Sequence, residues 1–251
     1  MVAVVKLKGD ERIDQLYSQD IKIIQSPSVF SFSLDAVMLA NFAEPKISKN
    51  SFLVDLCAGN GAVGLFLSHK THGKIAEVEI QPRLSDMANR SVQLNGLEDQ
   101  VTVYNDDLSQ ASQIFGKDSV DVVTVNPPYF SNLSTSKKNP NEYLAIARHE
   151  IKTNLRSVIQ TSSDLLKTGG KLYMVYRPDR LHELMNVMTH FRLAMKRIQF
   201  IYPKVDRKSN MMLVSAIKDG KETGLNVDYP ITVYHQNGEY SKEVKKMLYG
   251  E

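Results

Sequence analysis

Asn126-Pro127-Pro128-Tyr129 is the segment of this chain whose residue types are best suited to chemistry. It closes a valine-rich run, 120–126, whose β-branched residues predict a strand stopped by proline. The residue before a proline is held extended, and two successive prolines fix φ, so the loop is stiff. Pro127 has no N–H and offers its carbonyl without a competing donor. The Asn126 amide oxygen and that carbonyl make two acceptors side by side. A planar amino group on an aromatic ring or an amide has two N–H donors. Accepting both orients the nitrogen and draws its lone pair out of conjugation. The charge that grows on the nitrogen as an electrophile arrives is stabilised where it develops, and no strong base is required. Tyr129, with Phe130 beside it, supplies a face on which a flat substrate stacks. A rigid surface turn would account for the prolines but not for their place at the end of a strand.

A second segment, Val54-Asp55-Leu56-Cys57-Ala58-Gly59-Asn60-Gly61-Ala62-Val63-Gly64, reads as a strand, a turn and the start of a helix. Gly59 and Gly61 allow a tight turn and let a ligand approach the backbone. Glu79 ends the next strand, 20 residues beyond Gly59, with Ile80 after it. An acid there accepts hydrogen bonds from ribose hydroxyls. The spacing Gly59-x-Gly61-x-x-Gly64 also fits the dinucleotide fingerprint, so the glycines alone do not choose between NAD and S-adenosylmethionine. Asp55 favours the latter, because an acid four residues before the first glycine suits a cationic amino-acid group and repels a diphosphate. Asp107, after the third strand and before Leu108, is the candidate acceptor for an adenine amino group. The turn as a whole, with Cys57 and Asn60 inside it, is expected to line the cofactor site.

These residues need a scaffold that brings strand ends together. Strands are expected at 52–56, 74–80, 101–105, 120–126 and 171–176. Between them helices are expected at 62–68, 82–95 and 142–167, the last ending at Gly169-Gly170, with another at 180–190. A helix over 32–42, capped by Ser33, precedes the first strand. The runs 195–202 and 211–217 follow each other without a helix and are expected to pair as a hairpin. Strands joined by helices give a parallel sheet covered on both faces. Such a sheet places its ligands at the carboxyl ends of the strands. Residues 1–30 read as an N-terminal extension packed on the core, 31–220 as the main domain, and 221–251 as a tail with a strand and a charged helix.

Composition narrows the function classes. The chain has 251 residues, 42% hydrophobic and 24% charged, with a net charge of +3. That balance excludes a mostly disordered chain and makes any nucleic-acid surface local. One cysteine, Cys57, excludes an intrachain disulfide and a cysteine-cluster zinc site, and no pair of histidines has metal-binding spacing, so no metal is expected. No apolar run reaches the roughly 18 residues that span a bilayer. A cytoplasmic protein without an obligate protein partner is the simplest expectation.

The motifs resemble those of class I S-adenosylmethionine-dependent methyltransferases, and Asn126-Pro127-Pro128-Tyr129 is similar to the motif of the amino-methylating branch. A closer resemblance runs through Phe30-Ser31-Phe32-Ser33-Leu34-Asp35-Ala36-Val37-Met38-Leu39-Ala40, Val78-Glu79-Ile80-Gln81, Asn126 to Phe130 and Ala147-Arg148-His149-Glu150. Together these look like the tRNA(Val) adenine N6-methyltransferases, which modify the adenine just 3′ of the anticodon. The resemblance covers about residues 10 to 220. It implies an α/β, Rossmann-like class I methyltransferase fold with a mostly parallel seven-stranded sheet and a C-terminal antiparallel hairpin. It implies S-adenosylmethionine as cofactor, held by Asp55, Gly59, Gly61, Glu79 and Asp107, and an adenine held by Asn126, Pro127 and Tyr129. Asp35 joins the cofactor set through the helix this fold lays over the cofactor.

A tRNA partner needs cationic contacts. Residues 192–208 hold six basic residues against Asp206 alone, and Arg197, Lys204, Arg207 and Lys208 are expected to meet phosphates, with Phe200 and Tyr202 interleaved. Lys137 and Lys138, in the polar loop after the chemical motif, and Arg148 are further candidates. That loop is expected to close on a flipped base. The competing readings are glutamine-amide methylation of a protein such as a release factor, guanine N2 methylation of ribosomal RNA, and an RNA-binding protein with a vestigial cofactor site.

Overall fold

The structure, a computed structural model, describes residues 5–29, 34–128 and 153–250. Eleven strands and seven α-helices lie within those residues. The first two strands, β1 (Arg12–Leu16) and β2 (Ile21–Gln25), form a separate antiparallel hairpin. Helix α1 (Leu34–Phe42) leads into the main sheet.

The sheet is built from β3 (Phe52–Leu56), β4 (Lys74–Val78), β5 (Val101–Tyr104), β6 (Val120–Val125), β7 (Leu166–Tyr176), β8 (Leu193–Tyr202) and β9 (Met211–Lys218). These seven run in the order β5-β4-β3-β6-β7-β9-β8. The first five are mutually parallel, and β9 is antiparallel to both β7 and β8. Two short strands, β10 (Asn226–Val227) and β11 (Ile231–Thr232), extend the sheet beyond the expected seven by pairing parallel to β8. The tail is thereby stitched onto the edge strand, which leaves less of that edge open to a foreign strand.

The strands are apolar on both faces because helices cover both. On one side α1, α2 (Ala62–Leu67) and α3 (Pro82–Leu94) pack with Leu53, Ile75, Val122, Tyr173 and Val175. On the other, α4 (Ala111–Phe115), α5 (Leu155–Leu165) and α6 (Leu181–His190) pack with Val54, Leu56, Val78, Val123 and Met174. Helix α7 (Lys242–Tyr249) returns to the N-terminal hairpin, where the Ser18 hydroxyl donates to the Met247 carbonyl at 2.6 Å. The N-terminal segment is held to α3 by Arg90, whose guanidinium meets Glu11 and Asp86, each at 2.7 Å.

One expectation is corrected. Gly169-Gly170 does not stop a helix. Helix α5 ends at Leu165 and the chain enters β7 at once, so both glycines lie inside a strand. Gly169 has φ +80, and a side chain at Gly170 would come within 2.8 Å of the Lys167 carbonyl. The register between β6 and β7 shifts at this point, a bulge that only glycine accommodates.

The chain leaves β5 at one edge and returns to β6 beside β3. The crevice between β3 and β6 is the topological switch point, where open α/β sheets hold ligands. Cys57 to Gly61 follow β3 and Asn126 follows β6, so both chemical segments open onto that crevice.

Candidate active site

The glycine turn is an unusual piece of backbone. Cys57 has φ +57, Gly59 +60 and Gly61 +84, so three of five residues are left-handed. At Gly59 a side chain would meet nothing within 4 Å, so this glycine opens onto free space. The Glu79 carboxylate reaches across from β4 and accepts from the Gly59 N–H at 2.8 Å and from the Gln81 N–H at 2.8 Å. It is 4% exposed. Burial raises its pKa, while bonds from the Gln81, Gly59 and Ile80 amides oppose the rise. A carboxylate has about four acceptor sites, so with three amides bonded at least one remains for a ligand hydroxyl.

This arrangement separates the two cofactors that the glycine spacing leaves open. A diphosphate needs free amides at the turn. The Gly59 amide is taken by a carboxylate, and the Gly61 amide donates to the Ala58 carbonyl at 2.9 Å. Glu79 suits the ribose hydroxyls of either cofactor, so the occupied amides and not this acid separate the two. The residues fit S-adenosylmethionine and not NAD.

The other two glycines do different work. A side chain at Gly61 would come within 2.6 Å of a Glu77 oxygen, and one at Gly64 would overlap the same carboxyl group. Glu77 is wholly buried in β4, and neither of its oxygens has a hydrogen-bond partner. It lies opposite Asp55 in the β3–β4 register, and Asp55 lies opposite Thr124. The Thr124 hydroxyl donates to Asp55 Oδ1 at 2.6 Å, while Oδ2 has no partner. A row of polar groups therefore runs beneath the turn. Asp55 has no exposure and so offers a ligand in the crevice no direct contact in this structure. Glu77 was not anticipated. The one signal for it was an acid between apolar residues at a position that faces two glycines.

Burial pushes Asp55 up to about 7 from 3.8, and Glu77 well above its usual range. Between about pH 4 and 7 the folded chain keeps a proton on Asp55 that the unfolded chain has released. The stability this group contributes is full below pH 4 and is lost as the pH rises to 7, a span worth about 4 kcal/mol at most. Asp55→Asn does not titrate. Its stability relative to the unaltered protein should climb by a few kcal/mol (about 2–4) between pH 5 and 8 in urea titrations. A difference that stays constant across that window would show Asp55 already ionised in the fold.

Asn126 stands at the end of β6, half-buried, and donates from Nδ2 to Asp35 Oδ2 at 3.2 Å. Pro127 is buried behind it. Tyr129, Phe130, Lys137, Lys138 and Arg148 lie outside the described residues. Asp107 caps a 3-10 turn, its carboxylate accepting from the Ser109 N–H at 2.8 Å. It lies at the same sheet edge, half-buried beside exposed Asp106.

Three side chains depart from the expected roles. Asn60 turns away from the crevice and donates to the Ile24 carbonyl at 3.1 Å, fastening the N-terminal hairpin. Asp35 reaches Asn126 across 91 residues of sequence and so belongs to the chemical segment as much as to the cofactor side. Arg197 is no free phosphate contact. It lies in β8, paired with Asp228 at 2.8 Å and Glu44 at 2.9 Å, with its guanidinium 4.4 Å above the Phe42 ring. Those bonds hold the tail and α1 to the sheet. Cys57 is a packing residue whose thiol burial pushes well above its ordinary value, which makes it inert. No cluster of metal-ligating side chains occurs among the described residues.

A parallel sheet in this strand order, with a glycine turn and an Asn-Pro-Pro segment flanking its switch point, defines a class I methyltransferase. The chain belongs to the methyltransferase small domain family, whose model matches residues 20–201. It is 25% identical over 181 residues to a tRNA1(Val) (adenine(37)-N6)-methyltransferase of Porphyromonas gingivalis, covering 70% of each chain. It is 26% identical over 157 residues to a release factor glutamine methyltransferase of Borreliella burgdorferi, covering 60% of this chain and 54% of that one. Among solved structures it is similar to a predicted O-methyltransferase of Agrobacterium tumefaciens, with a TM-score of 0.66, 21% identity and coverage of 86% and 95%.

Proposed function

We propose that the protein methylates the exocyclic N6 amino group of an adenine in the anticodon loop of a tRNA, with S-adenosylmethionine as methyl donor. The observation that carries this reading is the placement of Asn126-Pro127-Pro128 at the switch point, beside the glycine turn. The similarity to adenine N6-methyltransferases supports the choice of base and of RNA.

When bound, S-adenosylmethionine supplies a methyl group on a sulfonium, which departs with the S–C bonding pair as a neutral thioether. The chain's own residues do the rest. Gly59 leaves room for the donor, and Glu79 accepts from its hydroxyls. Asn126 Oδ1 and the Pro127 carbonyl accept the two N–H bonds of the amino group, which aims the nitrogen lone pair at the methyl carbon. As the N–C bond forms, the same two acceptors stabilise the positive charge on nitrogen, which then loses a proton to solvent.

The carboxyl edge also offers a surface for RNA. Strand β8 runs parallel to β7, so the loop after Tyr202 emerges on the same edge as Asn126. Arg207 and Lys208 are exposed on that loop, and Lys204 reaches the Gln236 carbonyl at 3.5 Å. An anticodon-loop adenine is already partly unstacked, which lowers the cost of turning it into the crevice.

The test is incubation with labelled S-adenosylmethionine and unmodified bulk tRNA, followed by nucleoside mass spectrometry. N6-methyladenosine is the expected product. Label in N2-methylguanosine, or in release factor and not in RNA, would transfer the reading to one of those nitrogens. The similarity to the glutamine methyltransferase favours the second of these.

A further inference from the structure

We propose that Asp35 is a positioning residue that sets which way round the Asn126 amide stands in the active site. The inference rests on the reading that Asn126 accepts from the target amino group. A carboxamide has two ends of nearly equal shape and opposite chemistry. One donates and the other accepts. Only the oxygen serves an incoming amine. An amide turned the other way would present N–H bonds to N–H bonds and repel the substrate.

The structure contains the device that prevents this. Asp35 Oδ2 lies 3.2 Å from Asn126 Nδ2. A carboxylate only accepts, so the end of Asn126 facing it must be the NH₂. The oxygen then points along the other branch of the amide. Reversal would set the amide oxygen against the carboxylate and forfeit a charge-assisted hydrogen bond in a buried place. Asp35 is 3% exposed and stands in the first turn of α1, where the helix dipole favours its charged form.

A positioning residue is useful only if it cannot itself drift. Helix α1 is fastened at its far end from three directions. The Lys70 ammonium donates to the carbonyls of Ala40, Asn41 and Ala43 at 2.7, 2.9 and 3.2 Å, closing the C-terminus. Phe42 meets Tyr173 edge to face at 6.0 Å, and Arg197 covers its other side. Tyr173 is in β7, the neighbour of β6, so α1 and Asn126 are referenced to the same sheet. Asp35 is thereby tied to the sheet that carries the residue it orients.

A double-mutant cycle tests this, read by the single-turnover rate of methyl transfer to unmodified bulk tRNA and by calorimetric affinity for S-adenosylmethionine. Asp35→Ala should slow transfer by roughly 10- to 100-fold, the scale of a misplaced reacting group. Its cofactor affinity should stay within about threefold of the unaltered protein, because the group whose orientation is lost, Asn126, serves the target amine and not the donor. Asp35→Asn keeps one acceptor and the side-chain volume, and should lose only a severalfold factor. Neither change should slow an Asn126→Ala background further, because the group being oriented is gone. Asp35→Asn carries the cycle alone if the alanine variant fails to fold. Equal slowing in both backgrounds, or loss of cofactor affinity in step with the rate, would make Asp35 a cofactor ligand and overturn the inference while the amine-clamp reading stands. An Asn126→Ala variant that transfers methyl at the unaltered rate would instead sink that reading, and the inference with it.

Discussion

Asn126→Ala is expected to lower the single-turnover rate of methyl transfer by roughly 10²- to 10³-fold, with affinity for S-adenosylmethionine nearly unchanged. The magnitude follows from the kind of interaction removed. The amide oxygen is a fixed dipole aimed at a nitrogen that gains positive charge only as the methyl arrives. Removing one such pre-oriented group from a catalytic site typically costs about 3–4 kcal/mol of transition-state stabilisation. The donor is bound by other residues, the turn at Gly59 and the Glu79 carboxylate, which Asn126 does not touch. The two readouts therefore separate, with the rate collapsing and the affinity holding. Full activity would mean that nitrogen needs no acceptor here and that Pro127 and Pro128 serve only to shape a loop. Parallel loss of rate and affinity would mean that Asn126 lines the donor site. The variant also removes one hydrogen-bond donor to the buried Asp35 carboxylate, so a modest loss of thermal stability should accompany it.

The strand ends, and so the place of the site, could be read from the sequence because period and punctuation agree there. The run 120–126 is β-branched and ends in proline. The run 52–56 ends in a glycine turn, and the acid at 79 follows a strand of the same length. Local signals of that kind survive folding. What stayed hidden was what glycines and charges do at a distance. The same residue type marks a helix stop, a bulge or a close approach, and only the neighbour decides. Gly169 and Gly170 imitate a helix stop, yet Gly169 turns through φ +80 and Gly170 packs against the Lys167 and Asp121 carbonyls at a bulge. Arg197 imitates a phosphate contact, yet Asp228, Glu44 and Phe42 arrive from three other elements. The hairpin of β1 and β2 is not legible in the sequence because five-residue strands with polar ends, Arg12 and Gln25 among them, carry too few alternations to declare a period. The contact of Asp35 with Asn126 is equally hidden, because nothing local in a helix reveals a partner 91 residues away.

Gly64 offers the second large effect and shows how a fingerprint residue can serve packing. It lies within α2, where alanine is intrinsically favoured over glycine by about 1 kcal/mol. Gly64→Ala should nonetheless destabilise the protein by about 2–4 kcal/mol and lower the midpoint of thermal unfolding by roughly 5–10 °C. The new methyl group would overlap the Glu77 carboxyl and stand only 3.0 Å from Glu77 Cγ. Relief would require the whole side chain to rotate, and it has no free space because Glu77 is completely buried, with Ala88 closing the far side of Gly61. Glu77 is itself a costly residue, a fully buried carboxyl group with no hydrogen-bond partner, its pKa raised well above the usual range by that burial. Glu77→Ala both removes that cost and empties the space the new methyl needs. In the double variant the destabilisation should therefore fall short of the sum of the two single effects by at least about 1–2 kcal/mol in urea titrations. A Gly64→Ala protein as stable as the original would show that α2 can lift from β4, and the glycine would then owe its place to the ligand side of the turn. The two explanations predict opposite orders of effect. If Gly64 serves packing, stability falls and the donor affinity of whatever remains folded is preserved. If it serves the ligand, the fold survives and the affinity is lost.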